Sequence, residues 1–196
     1  MNQVIKSLVL SAAVAVVLAP MQARADGFVT PWIGSAFGGS DIQNGRGTFG
    51  VSGGGMGAGI VGGEVDFGWN PSFFGTQNQF GNNSVLNLMG NVIVGIPIGG
   101  QHGGGIRPYI VGGGGLIRTQ FDSTTSPVNP VSSQNMFGWD LGGGVMGYFN
   151  EHIGLRGDFR YMRATQDING AATDPTNAFN GDRLHFSRLT VGVVFR

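Results

Sequence analysis

Between Phe137 and Phe149 the chain alternates with a period of two. Phe137, Trp139, Leu141, Gly143, Val145, Gly147 and Phe149 fall on one face; Gly138, Asp140, Gly142, Gly144, Met146 and Tyr148 fall on the other. That period belongs to a β-strand with two unlike faces. It returns over Ile153 to Arg163, Arg188 to Phe195, Leu86 to Ile98 and Gly63 to Trp69. Glycine is woven through all of these stretches, 38 of 196 residues. Each interior glycine costs a helix about 1 kcal/mol relative to alanine. The fold class is all-β.

The polar faces are unusual. A soluble sandwich would turn Lys, Glu and Thr outward, whereas these faces carry Gly, Asn and a few Arg and Asp. Charged residues are only 11% of the chain, and hydrophobic residues 41%. The economical reading is inverted, with apolar residues facing lipid and small polar ones facing a narrow lumen. Beyond residue 25 no apolar run reaches the roughly 18 residues of a membrane-spanning helix. A closed barrel is the other structure that satisfies every backbone polar group in lipid.

Eight strands are expected, near 28–38, 48–58, 61–70, 85–98, 106–121, 135–149, 152–166 and 184–196. The connections at 39–47, 71–84, 122–134 and 167–183 are long and rich in Asn, Ser, Thr, Asp and Pro. Those near 59–60, 99–105 and 150–151 are mostly short. The expectation is an eight-stranded antiparallel up-and-down transmembrane β-barrel with four longer extracellular loops and short periplasmic turns. Trp69, Tyr109, Phe121, Phe137 and Phe149, at strand ends, suit its interfacial aromatic girdles.

Residues 1–25 read as a cleaved signal peptide. Lys6 supplies the positive region, Leu8 to Ala19 the apolar one, and Ala23-Arg24-Ala25 a small-x-small cleavage site before Asp26. Residues 26–196 are then the barrel domain. Loss of Lys6 and Arg24 leaves 9 basic residues against 11 acidic ones, and no lysine. That composition offers no basic cluster for nucleic acid and no lysine for a phosphate loop. With no cysteine, the domain has no disulfides.

Arg107-Pro108-Tyr109-Ile110-Val111-Gly112-Gly113-Gly114-Gly115 resembles the Pro-Tyr-x-Gly-x-Gly-x-Gly strand of small eight-stranded outer-membrane barrels. These are relatives of the outer-membrane protein A transmembrane domain and the opacity-type surface proteins. Phe137 to Gly144, Leu155 to Tyr161 and Leu189 to Phe195 agree with it. The resemblance implies a place in the bacterial outer membrane, contact with its lipid, and Phe195 as part of the signal read by the outer-membrane assembly machinery. The family usually ends on the aromatic itself, whereas here Arg196 follows. Its members serve as anchors, adhesins, porin-like proteins and a few lipid-modifying enzymes, so fold alone does not fix function.

Candidate chemistry is sparse. His185 and Ser187 share one side of a strand and resemble the His-x-Ser pair of outer-membrane lipid A deacylases. Such a pair needs a carboxylate to orient the histidine; Asp167 and Asp182 are near in sequence but carry no motif. Arg188-Leu189 stands where the resembling enzymes have Asn-Ala. His102 and His152 fall in periplasmic turns, away from His185, so no three-histidine metal site is expected. The glycine runs open no helix, so no nucleotide cofactor is expected either.

A sharper constellation is Glu64, Asp66, Arg118, Asp140, Arg156, Asp158, Arg160 and Arg188, assigned to the lumen as a balanced network of ion pairs. Eight strands leave an interior just wide enough for side chains to fill. The leading expectation is a structural surface protein that supports envelope integrity, with adhesion to a host or surface ligand through its loops. A narrow porin-like channel for small solutes is the alternative, and a lipid-modifying enzyme the third.

Overall fold

The computed structural model describes residues 25–38, 45–71, 82–99, 104–122, 132–165 and 184–196. Within them lie eight strands: β1 (Ala25–Phe37), β2 (Arg46–Gly57), β3 (Val61–Pro71), β4 (Asn82–Gly95), β5 (Gly105–Asp122), β6 (Ser132–Tyr148), β7 (Ile153–Ala164) and β8 (His185–Phe195). Each pairs antiparallel with its sequence neighbours, and β8 pairs with β1 to close a barrel. No sheet edge is left open to lipid. Following the pairs once around from Ala25 leads back to β1 at Ser35, ten residues further on. That stagger tilts the strands and sets the bore.

Both ends of the sheet and the short turns lie at one mouth, the periplasmic one in barrels of this kind. There Ala58 and Gly59 both take positive φ, 51° and 70°. A Cβ at Gly59 would also lie 2.6 Å from the Arg107 guanidinium, so a side chain there would have to displace Arg107 as well as adopt the left-handed backbone. β4 stops at Gly95 rather than near residue 98, because Pro97 has no N–H for the ladder. Pairing resumes for one step at Ile98 and Ile106. The expected long connections fall largely outside the described residues.

The outer wall is apolar: Ile33, Ile110 and Leu141 are each at least 60% exposed. The lumen differs from the expectation of small polar side chains. It is filled in three layers. Near the loop end lie Val85, Met89, Ile117, Met136, Met162 and Phe186, all buried. Near the periplasmic mouth lie Phe28, Met56, Ile93, Met146, Tyr148 and Val194. Charged side chains occupy the middle. An eight-stranded bore must be packed like any interior, and unbranched methionine fills its irregular gaps. All five methionines beyond residue 25 point inward with no exposed surface.

Inward glycines make room for this filling. A Cβ on Gly142 would lie 2.2 Å from the Phe159 carbonyl oxygen, and one on Gly144 2.1 Å from that of Gly157. Both glycines allow β6 to approach β7 directly beneath the charged layer.

Candidate functional site

The middle layer is built mainly by β3 and β7, which stand on opposite sides of the barrel. On β7 the alternation Arg156, Asp158, Arg160 turns three charges inward, because Leu155, Gly157 and Phe159 take the lipid face. On β3, Glu64 and Asp66 turn inward between Val65 and Phe67. Arg156 Nη1 donates to Glu64 Oε2 at 2.5 Å, and Arg160 Nη2 donates to Glu64 Oε1 at 2.6 Å. Asp158 accepts from both arginines, at 3.0 Å from Arg156 Nη2 and 2.6 Å from Arg160 Nε. The four side chains close a ring in which positive and negative charges alternate.

Two extensions flank the ring. Arg188 on β8 donates to Asp66 at 2.7 Å and lies 4.2 Å from the centre of the Trp32 ring. Ser52 donates to the other Asp66 oxygen at 2.8 Å. Asp140 on β6 accepts from Arg160 Nη1 at 3.3 Å and from Asn91 at 3.2 Å. Its Oδ1 is buried and accepts no hydrogen bond. Four carboxylates therefore meet three guanidiniums in this layer, and Asp140 is the least satisfied of them. Paired charges of this kind are tolerable in a low-dielectric interior only because their polar atoms find partners.

Arg118, assigned to the lumen from the sequence, does not join them. It is exposed on the outer wall, and its neighbours Ile117 and Thr119, both fully buried, take the inward positions. Both faces of β5 carry apolar residues, and the Gly112–Gly115 run has no parity signal. Two lumenal residues on the same strand escape the sequence reading for that reason. Arg107 is 2% exposed and packs over Tyr148 near the periplasmic mouth, where Arg196 reaches the same ring at 4.2 Å. Tyr109, expected in the aromatic girdle, is also inside. Its hydroxyl donates to Asp158 and accepts from Arg156 Nε at 2.6 Å. Trp69, Phe137 and Phe149 do face outward, while the Phe121 side chain lies outside the described residues.

His185 and Ser187 point out of the barrel, with His185 6.3 Å from the Tyr161 ring. No strand carboxylate among the described side chains shares that wall; Glu64, Asp66, Asp140 and Asp158 are all buried inside. Asp167, Asp182 and His102 lie outside the described residues. His152 occupies the β6–β7 turn, its backbone N–H donating to Asn150 Oδ1 at 2.9 Å. The runs around Gly112–Gly115 and Gly142–Gly144 are strand interior. Phe195 faces lipid, 45% exposed, beside its pairing partners Val29 and Ile153.

What this layer can do chemically is hold the barrel together across its width. The space enclosed by Thr30, Trp32, Ser52, Asp66 and Arg188 has no room for a water molecule.

The sequence matches the family described as the outer membrane protein beta-barrel domain over residues 9–196. The chain belongs to that family. Among solved structures, Neisserial surface protein A superposes with a TM-score of 0.64 at 15% identity, covering 88% of this chain and 99% of that one. The N-terminal barrel domain of Pseudomonas aeruginosa OprF gives 0.54 at 17% identity, covering 89% and 98%. P. aeruginosa outer membrane protein H gives 0.50 at 15%, covering 87% and 99%. These likenesses extend to the fold. No curated protein matches the sequence significantly. This outer-membrane barrel thus resides in the bacterial outer membrane, with its apolar wall against lipid.

Proposed function

We propose that the protein is a sealed structural barrel that supports the integrity of the outer membrane and holds its loops at the cell surface, where they contact a host or surface ligand. The observation that carries this reading is the three-layered lumen. A ring of ion pairs braces β3 against β7, and an apolar layer lies on either side of it. A solute path would need a continuous polar channel, whereas the methionine-rich layers interrupt one at two levels. An acyl-transfer enzyme would need a carboxylate beside His185 and Ser187, and the carboxylates described in the strands point into the lumen.

Planar-bilayer recording of the refolded barrel tests the sealed reading: no unitary current steps are expected, and reproducible steps would replace it with the porin-like one. Detergent sensitivity of cells lacking the protein, restored by the full chain, tests the envelope role. Unchanged lipid A mass spectra with and without the protein would exclude deacylation.

A further inference from the structure

Among the described side chains, the outer wall of the strands carries charge in one place. Arg118 on β5 and Arg163 on β7 are exposed to the lipid side, near the end of the barrel that bears the long connections. Among the described side chains neither makes an ion pair, and the strand carboxylates Glu64, Asp66, Asp140 and Asp158 all point into the lumen. Strict pairing puts Arg118 opposite Asn135 and Arg163 opposite Trp139, four positions apart on β6. The ten-residue stagger spreads over eight strands, so the pairing rows climb by roughly 2.5 residues between β5 and β7. That climb brings the two arginines to within about two residues of the same height, on strands separated by β6 alone.

Phe137, 49% exposed, stands on the outward face of β6 between them. Trp139 and Tyr161 follow on the side nearer the membrane centre, their rings 5.7 Å apart. Aromatic side chains in such a belt mark the level where hydrocarbon gives way to head groups. Guanidiniums are costly against hydrocarbon, but that cost falls away at the head-group level, where they can meet phosphate through two parallel N–H donors.

We propose that Arg118 and Arg163 form a binding site for the phosphate groups of the outer-leaflet lipid, with Phe137 packed beneath the head group between them. The site is independent of the lumen. Two strand spacings of about 4.8 Å across the sheet and four residues of about 3.3 Å along it set the two backbones roughly 16 Å apart, a span that two long arginine side chains leaning toward each other close over one head group carrying two phosphates.

The test uses the full refolded barrel in detergent with lipid A carrying both phosphates, and reads retained lipid by native mass spectrometry. The double variant R118Q/R163Q, whose changes lie outside the packed lumen, is expected to retain about tenfold less lipid, since charge-assisted contacts of this kind are worth at least that factor. Wild type with dephosphorylated lipid A is expected to match the variant, and equimolar inorganic phosphate to displace nothing. Should the double variant fail to fold, R163Q alone reads the same loss. Equal retention by variant and wild type, or equal retention of the dephosphorylated lipid, overturns the proposal. Displacement by equimolar inorganic phosphate also overturns it, as a site for free anions.

Discussion

Glu64 on β3 and Arg160 on β7, 96 residues apart in sequence, meet across the full width of the lumen, with Nη2 2.6 Å from Oε1. Each also bonds to a third member of the ring, so the contact is one side of a closed circuit rather than an isolated pair. Removing either partner leaves the other buried and short of a counter-charge.

Arg160→Ala is therefore expected to cost on the order of 3–5 kcal/mol in urea unfolding measured in lipid vesicles. Glu64→Ala should cost a similar amount. The double variant should cost clearly less than the sum, because the second loss removes a charge the first has already stranded. Strict additivity would show that the two side chains act independently. Bilayer recordings on the same proteins should stay silent, since the apolar layers above and below are untouched.

The inward charges on β3, β6, β7 and β8 are legible in sequence because large apolar residues fill the opposite face of each strand. Leu155 and Phe159 fix the parity of β7, and so the direction of Arg156, Asp158 and Arg160. β5 offers no such contrast. Ile106, Ile110 and Leu116 lie on one face and Val111 and Ile117 on the other, so Arg118 is misplaced and Arg107 and Tyr109 are overlooked. The methionine layers are illegible for another reason. Apolar residues on both faces of a strand satisfy lipid and lumen alike, and only the narrow bore shows that the interior has to be filled.

Asp140 and Asp158 should respond differently to loss of charge. Asp158 takes hydrogen bonds from Arg156, Arg160 and Tyr109. The longest ion pair of the layer is that of Asp140, and one of its oxygens is unbonded. Arg160 keeps Glu64 and Asp158 when Asp140 is neutralised. Asp140→Asn should thus shift stability by less than about 1 kcal/mol, and Asp158→Asn by about 3 kcal/mol or more. Equal losses in paired urea titrations would show that position in the ring does not matter.

Glycines on the two faces should also separate. A Cβ at Gly142 would lie 2.2 Å from the Phe159 carbonyl and 2.9 Å from Arg160 Cα, both backbone atoms that cannot step aside. On the outward face of β2, a Cβ at Gly53 would meet nothing nearer than 3.7 Å. Gly142→Ala is expected to abolish the heat-modifiable folded band on gels run without boiling, and Gly53→Ala to leave it intact. A folded band of equal strength for both would mean that the strands can part without penalty.

Signal removal makes a simple prediction about the start of β1. Cleavage after Ala25 would leave Asp26 as the first residue, one position inside β1 (Ala25–Phe37). N-terminal sequencing of protein extracted from outer membranes should begin at Asp26. A start at Met1 would contradict export through a cleaved signal.

Phe195 sits at the closing seam, where β8 meets β1, paired with Val29 there and with Ile153 on β7. Its ring faces lipid, while Arg196 turns to the mouth of the lumen: its N–H donates to the His152 carbonyl at 2.9 Å and its guanidinium covers Tyr148 at 4.2 Å. With Arg196 folded back in this way, the terminal charge does not stand between the aromatic ring and an outside partner. We propose Phe195, whose ring stands exposed on the lipid face, as the aromatic signal for assembly. Phe195→Ala should lower the folded fraction in cells by several-fold while spontaneous refolding in detergent falls much less, because only the cellular route uses recognition. Arg196→Ala should leave cellular yield unchanged. If Phe195→Ala lowers both yields equally, the residue contributes packing at the seam and no signal; if Arg196→Ala is the variant that fails in cells, recognition has moved to the last position.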